Sequence, residues 1–173
     1  MNLSLSQLCE NLNLNLVLMT KVNLHADLID QDKIDKILLA TGNIIDEQTA
    51  EDFKVINSHP GYLPNIKGLD ALKWAILHKQ DIGVTTHFIN GQIDGGTIIE
   101  RKLVPVHYED TFHNVAYRQY EIEVDLLVNS LTCTPENIEI SESPYDTFRR
   151  MPNRLEYGML ETFDELRKEQ DNP

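Results

Sequence analysis

Asn57 and His59 stand two residues apart at the end of a short apolar run, Val55-Ile56, and Asp94 follows later within Gln92-Ile93-Asp94-Gly95-Gly96. In an extended segment, residues i and i+2 point to the same face. That face then carries an amide donor beside an imidazole that titrates near neutral pH. An aspartate in a glycine-bracketed turn completes a set able to stabilise an oxyanion and to move a proton. Singly, each residue has a plainer reading: a strand-end cap for Asn57, a satisfied loop histidine for His59, a turn residue for Asp94.

The segments around these residues set the frame that must hold them. Val55-Ile56-Asn57 reads as a strand that delivers the candidates at its C-terminal end, the edge where ligands gather in open α/β sheets. Lys36 to Ala40 reads as a short buried strand ending at Thr41-Gly42, and Asp46 to Phe53 as a helix capped by Asp46. Leu69 to Lys79 is an amphipathic helix, with Leu72, Ala75 and Ile76 at helical spacing and Trp74 in the core. Val84 to Ile89 and Thr97 to Val106 are strands joined by the Asn90-Gly91 and Asp94-Gly95-Gly96 turns. Phe112, Val115, Gln119, Ile122 and Leu126 trace a helical stripe behind Asp110, a plausible cap. Leu155, Met159, Phe163 and Leu166 trace another, and Ser4 to Asn11 suits a short helix before a strand from Leu14 to Met19. The alternation predicts an α/β fold, a mainly parallel sheet with helices on both faces. One domain over 1–173 is expected, with a core at about 36–131 and a helical extension at about 141–170.

At 173 residues the chain suffices for one domain with a real core. The net charge is −13, from 28 acids against 15 bases. Such a balance repels phosphate backbones, and Arg149-Arg150 with Arg154 is too small a basic group to reverse it, so no nucleic-acid partner is expected. Cys9 and Cys133 form no Cys-x-x-Cys and the histidines no His-x-x-x-His, so no metal site is expected. With no 18-residue apolar run and no leader pattern, the expectation is a cytoplasmic chain with no membrane partner.

Several motifs in order carry a further signal. Asn57-Ser58-His59-Pro60-Gly61-Tyr62-Leu63-Pro64, then Lys67-Gly68, then Gly83-Val84-Thr85-Thr86-His87-Phe88, then Ile93-Asp94-Gly95-Gly96-Thr97-Ile98-Ile99 resemble the core of the folate-dependent formyltransferases. The resemblance runs from about Lys36 to about Leu131. It implies a formyltransferase-like, Rossmann-related fold, 10-formyltetrahydrofolate as co-substrate without a metal, and a small-molecule amine as acceptor. That acceptor is glycinamide ribonucleotide-like or an amino-sugar nucleotide. Asn57, His59 and Asp94 fall position by position on the family's catalytic Asn, His and Asp. The implied folate slot is lined by Gly42, Asn43, Ile44 and Ile45, by Val55, and by the loop Asn90, Gly91, Gln92, Ile93. His87 is implied to order a loop, with a packed core histidine as the other reading.

The pattern departs from the family in one respect. Family members open with a strand, a glycine-bearing loop and a helix, whereas no glycine precedes Gly42 here. Phosphate-cradling loops rely on glycine for their positive φ positions. Either the first βα unit is reduced or absent, or the acceptor is held in another way, and weak binding of glycinamide ribonucleotide is expected. Relatives that hydrolyse the formyl folate carry a histidine where Pro60 stands, so transfer is expected over hydrolysis. The alternatives are a non-catalytic folate-binding protein, or a subunit that takes its missing edge from a partner; a homodimer stays open.

Overall fold

The computed structural model describes residues 3–17, 34–40, 45, 50, 52–135 and 138–170. It falls into two compact units, 1–30 and 31–173. In the first, Ser4 opens the helix α1 (Leu5–Asn11) through a reciprocal capping box with Gln7. The helix buries none of its own residues. Leu14 to Val17, expected as a strand, has no regular structure, and Leu18 and Met19 lie outside the described residues.

The second unit carries a sheet of β1 (Ile37–Leu39), β2 (Val55–His59), β3 (Gly83–Phe88), β4 (Thr97–Leu103) and β5 (Ile138–Glu139), side by side in that order. β1 and β2 are parallel, with Leu39 opposite Asn57. The pairs β2–β3, β3–β4 and β4–β5 are antiparallel. The α/β class stands, but among the described residues the parallel pairing is confined to one side, which corrects the mainly parallel sheet. The reason lies in the connections. β3 and β4 are joined by the short turn at 89–96, and a connection of that length can only reverse the chain. The expected helix over Asp46 to Phe53 lies largely outside the described residues, as do Thr41 and Gly42.

Three further helices are traced in full among the described residues of the unit: α2 (Ala71–Leu77), α3 (Phe112–Asn129) and α4 (Asn153–Glu169). Their apolar stripes converge. Leu72, Ala75 and Ile76 of α2, Val115, Ile122 and Leu126 of α3, and Met159 and Phe163 of α4 form one cluster with Val84 and Val104 of the sheet region. Each such buried side chain contributes about 1.5–3 kcal/mol. The expected C-terminal extension is therefore part of the core. Val84 faces this cluster, so by strand alternation Thr85 and His87 face the other way. No helix among the described residues is long and apolar enough to cross a membrane.

The start of α3 differs from expectation by one residue. Thr111 is the cap, in a reciprocal pair with Asn114. Asp110 instead accepts the His107 N–H at 2.8 Å and both arms of the Arg118 fork at 2.8 and 2.9 Å. The hydrogen bond from Arg118 is the main cause that holds its carboxyl below the usual carboxylate range. A depressed carboxyl supplies stability above its unfolded value and loses it as pH falls through its folded value. Arg118→Ala is expected to cost about 2 kcal/mol at pH 7. The gap to wild type should close on acidification through the Asp110 range, as read by urea midpoints.

Candidate functional site

β2 places the first two candidates. Its five residues alternate, so Asn57 and His59 share a face, and across the antiparallel pairing they stand opposite His87 and Thr85. His59 is only 4% exposed. Its Nε2 lies 2.9 Å from the Ile66 carbonyl and its Nδ1 lies 3.4 Å from Asp94 Oδ1. With an oxygen acceptor at each ring nitrogen, only the doubly protonated ring donates to both. A bound formyl oxygen must therefore compete for one of these donors.

The loop after β2 is tied down at its backbone. Thr85 Oγ1 donates to Gly61 O at 2.8 Å and accepts from Leu63 N at 3.0 Å. Gln119, the polar member of the α3 stripe, donates to Pro60 O at 2.9 Å and to Gly83 O at 3.1 Å. Gly61 leaves room for the His59 ring, since a Cβ there would stand 2.5 Å from Nε2. Such a contact has no room to relax around a buried ring.

Asp94 closes the arrangement from the β3–β4 turn. Its φ of 46° is left-handed, a conformation that Asp tolerates better than most side chains. One carboxylate oxygen faces His59, and the other accepts the Gly68 N–H at 2.6 Å. Gly68 is itself fixed by residues far along the chain: Phe148 N donates to Lys67 O, and Leu69 N donates to Phe148 O, both at 2.9 Å. The carboxylate is thus anchored to backbone on one side and free to work on the other.

His87 is completely buried. Nδ1 lies 2.8 Å from Gly95 O, and Nε2 lies 3.4 Å from Asn57 Nδ2. Burial, reinforced by repulsion from His59 and opposed by Asp94, lowers its pKa to about 4. The ring is then neutral at pH 7, donating at Nδ1 and accepting at Nε2. It orders the Asp94 turn through Gly95 and fixes one N–H of the Asn57 amide, leaving the other N–H and the carbonyl oxygen for the cleft. Both sequence readings of His87 hold, since it is packed and it orders a loop.

This has a pH consequence. Between about pH 6.5 and 4 the unfolded chain takes up a proton at His87 that the native chain does not, so stability falls as pH falls through that window. The loss approaches about 3 kcal/mol. Denaturant midpoints of His87→Gln are expected to decline less steeply than wild type over this range. Parallel declines would show that His87 does not titrate on unfolding.

The proposed slot residues separate. Asn43 and Ile44 lie outside the described residues, and Ile45 is buried. Val55 is 1% exposed, with its N–H on Phe53 O and its carbonyl accepting from Ile89 N. It forms floor beneath the site and offers no contact surface. Asn90, Gly91, Gln92 and Ile93 make an exposed loop beside Asp94, braced by Gln92 N donating to Asn90 Oδ1 at 2.9 Å. A separate cavity of about 530 Å³ lies between α2, α4 and the end of β4 and includes none of these residues. Gly61, Gly68 and Gln119 stood in the sequence reading only as members of a motif or a helical stripe, with no role at the site, although a glutamine amid an apolar helical stripe was a usable sign.

Residues 22–131 match the family model described as formyl transferase. Phosphoribosylglycinamide formyltransferase of Haemophilus influenzae is 36% identical over 74 residues, which is 42% of this chain and 35% of that protein. Formyltetrahydrofolate deformylase 2, mitochondrial, of Arabidopsis thaliana is 32% identical over 96 residues, 55% of this chain and 28% of that one. The formyltransferase PseJ from Anoxybacillus kamchatkensis was solved in complex with UDP-4,6-dideoxy-4-formamido-L-AltNAc and tetrahydrofolate. It is similar at a TM-score of 0.63 and 26% identity, over 74% of this chain and 71% of that one. The chain spans about a third of the length of the curated relatives it matches. On the family match, which takes in β1 to β4 and all three site residues, the chain belongs to the formyl transferase family.

Proposed function

We propose that this chain transfers a formyl group from 10-formyltetrahydrofolate to the amine of a small molecule, either glycinamide ribonucleotide-like or an amino-sugar nucleotide. The observation that carries the reading is the meeting of His59 and Asp94 at 3.4 Å beside an Asn57 amide oriented by His87. The amine lone pair attacks the formyl carbon, and the carbonyl electrons move onto oxygen. The free N–H of Asn57 and an N–H of His59 stabilise that oxyanion. The attacking nitrogen, now positive, gives a proton to Asp94, directly or through a water. As the intermediate collapses, the oxyanion electrons reform the carbonyl, the bond to the folate nitrogen breaks, and that nitrogen takes up the proton held by Asp94 or the water, leaving the formamide. Folate would lie along the exposed loop 90–93, next to Asp94. The acceptor class is supported by the names of the relatives, one for phosphoribosylglycinamide and one with a formamido sugar nucleotide bound. Hydrolysis, the reaction in the deformylase relative's name, is disfavoured because Pro60 brings no second imidazole beside His59 to activate water.

A transfer assay over a panel of amines, with folate product followed optically, tests this. Turnover that requires an amine is expected. Release of tetrahydrofolate at one rate with and without amines would mean hydrolysis. Folate binding without any turnover would make the chain a binding protein.

A further inference from the structure

Among the described residues, a cluster of basic side chains is left without an acidic partner. Arg149, Arg150 and Arg154 are exposed, and none makes an ion pair among the described residues. Two acids near the segment are engaged: Glu156 pairs with Lys73 at 2.6 Å, and Asp70 Oδ2 accepts the Met151 N–H at 2.9 Å. Arg150 lies close enough to Lys73 to oppose its charge. Glu142 and Asp146, both exposed, are the acids of the preceding segment. Three free guanidinium groups within six residues are an oddity in a chain of net charge −13.

Their position is set by the site. Residues 148–151 lie alongside 67–70 through the Phe148 bonds to Lys67 and Leu69 and the Met151 bond to Asp70. Trp74 stacks on Phe148 at 4.8 Å and donates its indole N–H to Arg149 O at 2.7 Å. The segment is therefore rigid at its backbone while its arginine side chains are free. Gly68, in the same strip, holds Asp94. By covalent and hydrogen-bond steps Arg149 begins on the order of 10 Å from that carboxylate, about the span between a reacting amine and a phosphate in one small molecule.

Resting on the formyl-transfer reading above, we propose that Arg149 and Arg150, with Arg154 beside them, bind the phosphate or diphosphate of a nucleotide acceptor and so aim its amine at Asn57 and Asp94. A guanidinium fork grips phosphate oxygens in pairs, which a lysine cannot do. In a strongly acidic protein, a local positive group is also what admits an anionic substrate.

Calorimetry on the full chain, with a non-reactive folate analogue present, tests the site. The probes are uridine diphosphate, a nucleoside monophosphate, inorganic phosphate and a short single-stranded RNA. The double variant Arg149→Ala with Arg150→Ala is expected to weaken diphosphate binding at least about tenfold and to leave binding of the folate analogue unchanged. The matching pair of lysine substitutions keeps the charge and should weaken it less, and it serves as the test if the alanine pair does not fold. Arg167→Ala, which removes one positive charge near the far end of α4, should have little effect. Unchanged diphosphate binding in the arginine variants would overturn the proposal, and so would an equal loss in Arg167→Ala. RNA binding tighter than every nucleotide would also overturn it, assigning the patch to nucleic acid. Transfer that persists without any dependence on these arginines sinks this site alone. Arginine-dependent diphosphate binding without transfer to any amine supports the site and sinks the reading on which it rests.

Discussion

Asp94→Asn is expected to lower kcat by about 10²–10⁴ while leaving the affinity for a reduced-folate analogue nearly unchanged. Asparagine keeps the size of the side chain, tolerates the left-handed φ of 46°, and retains an oxygen to accept the Gly68 N–H. What it lacks is the charge that faces His59 at 3.4 Å and the capacity to take a proton from the attacking amine. Asp94→Ala removes the Gly68 anchor as well, so comparing the two separates chemistry from loop order. Calorimetry and steady-state kinetics on both variants decide the matter. Loss of folate binding in the asparagine variant would make Asp94 a structural residue of the turn.

Gly68→Ala should be among the most damaging small substitutions in the second unit. Its φ is +100°, where a Cβ is strained, and the added Cβ would overlap the Phe148 carbonyl. Strain and overlap together should cost about 3 kcal/mol or more. Because Gly68 supplies the hydrogen bond that anchors Asp94, turnover should fall in whatever fraction remains folded. Gly158→Ala is the control: in the interior of α4, with nothing within 4 Å of the added Cβ, it should stabilise by about 0.5–1 kcal/mol. Denaturant midpoints of opposite sign are expected. A neutral Gly68→Ala would show that 148 and 68 are not held together.

The parts of this site that were legible in the sequence are those set by local periodicity. Alternation along Val55 to His59 is enough to put Asn57 and His59 on one face, and the helical stripes of α2, α3 and α4 name their own core residues. Asp94 was marked by its glycine turn, and only the resemblance linked it to His59. The rest depends on partners distant in sequence. Phe148 fixes Gly68 from 80 residues away, and no pattern near either residue announces it. Asp110 looked like a cap because Asp favours that position, but the Arg118 fork drew it off and left the role to Thr111. Strand direction was misjudged for a related reason: alternation of strands and helices suggests crossovers, while the turn at 89–96 dictates a reversal. Leu14 to Val17 shows that an apolar run alone does not make a strand.

The decisive measurement follows the formyl carbon itself. 10-Formyltetrahydrofolate labelled at that carbon is mixed with the chain and an amino-sugar nucleotide or glycinamide ribonucleotide, and the carbon is tracked by NMR. The labelled N-formyl amine should appear in step with tetrahydrofolate in the wild-type chain, and should be nearly absent in Asn57→Ala and Asp94→Asn. Label emerging as formate, or product forming equally well in both variants, would contradict transfer by Asn57, His59 and Asp94.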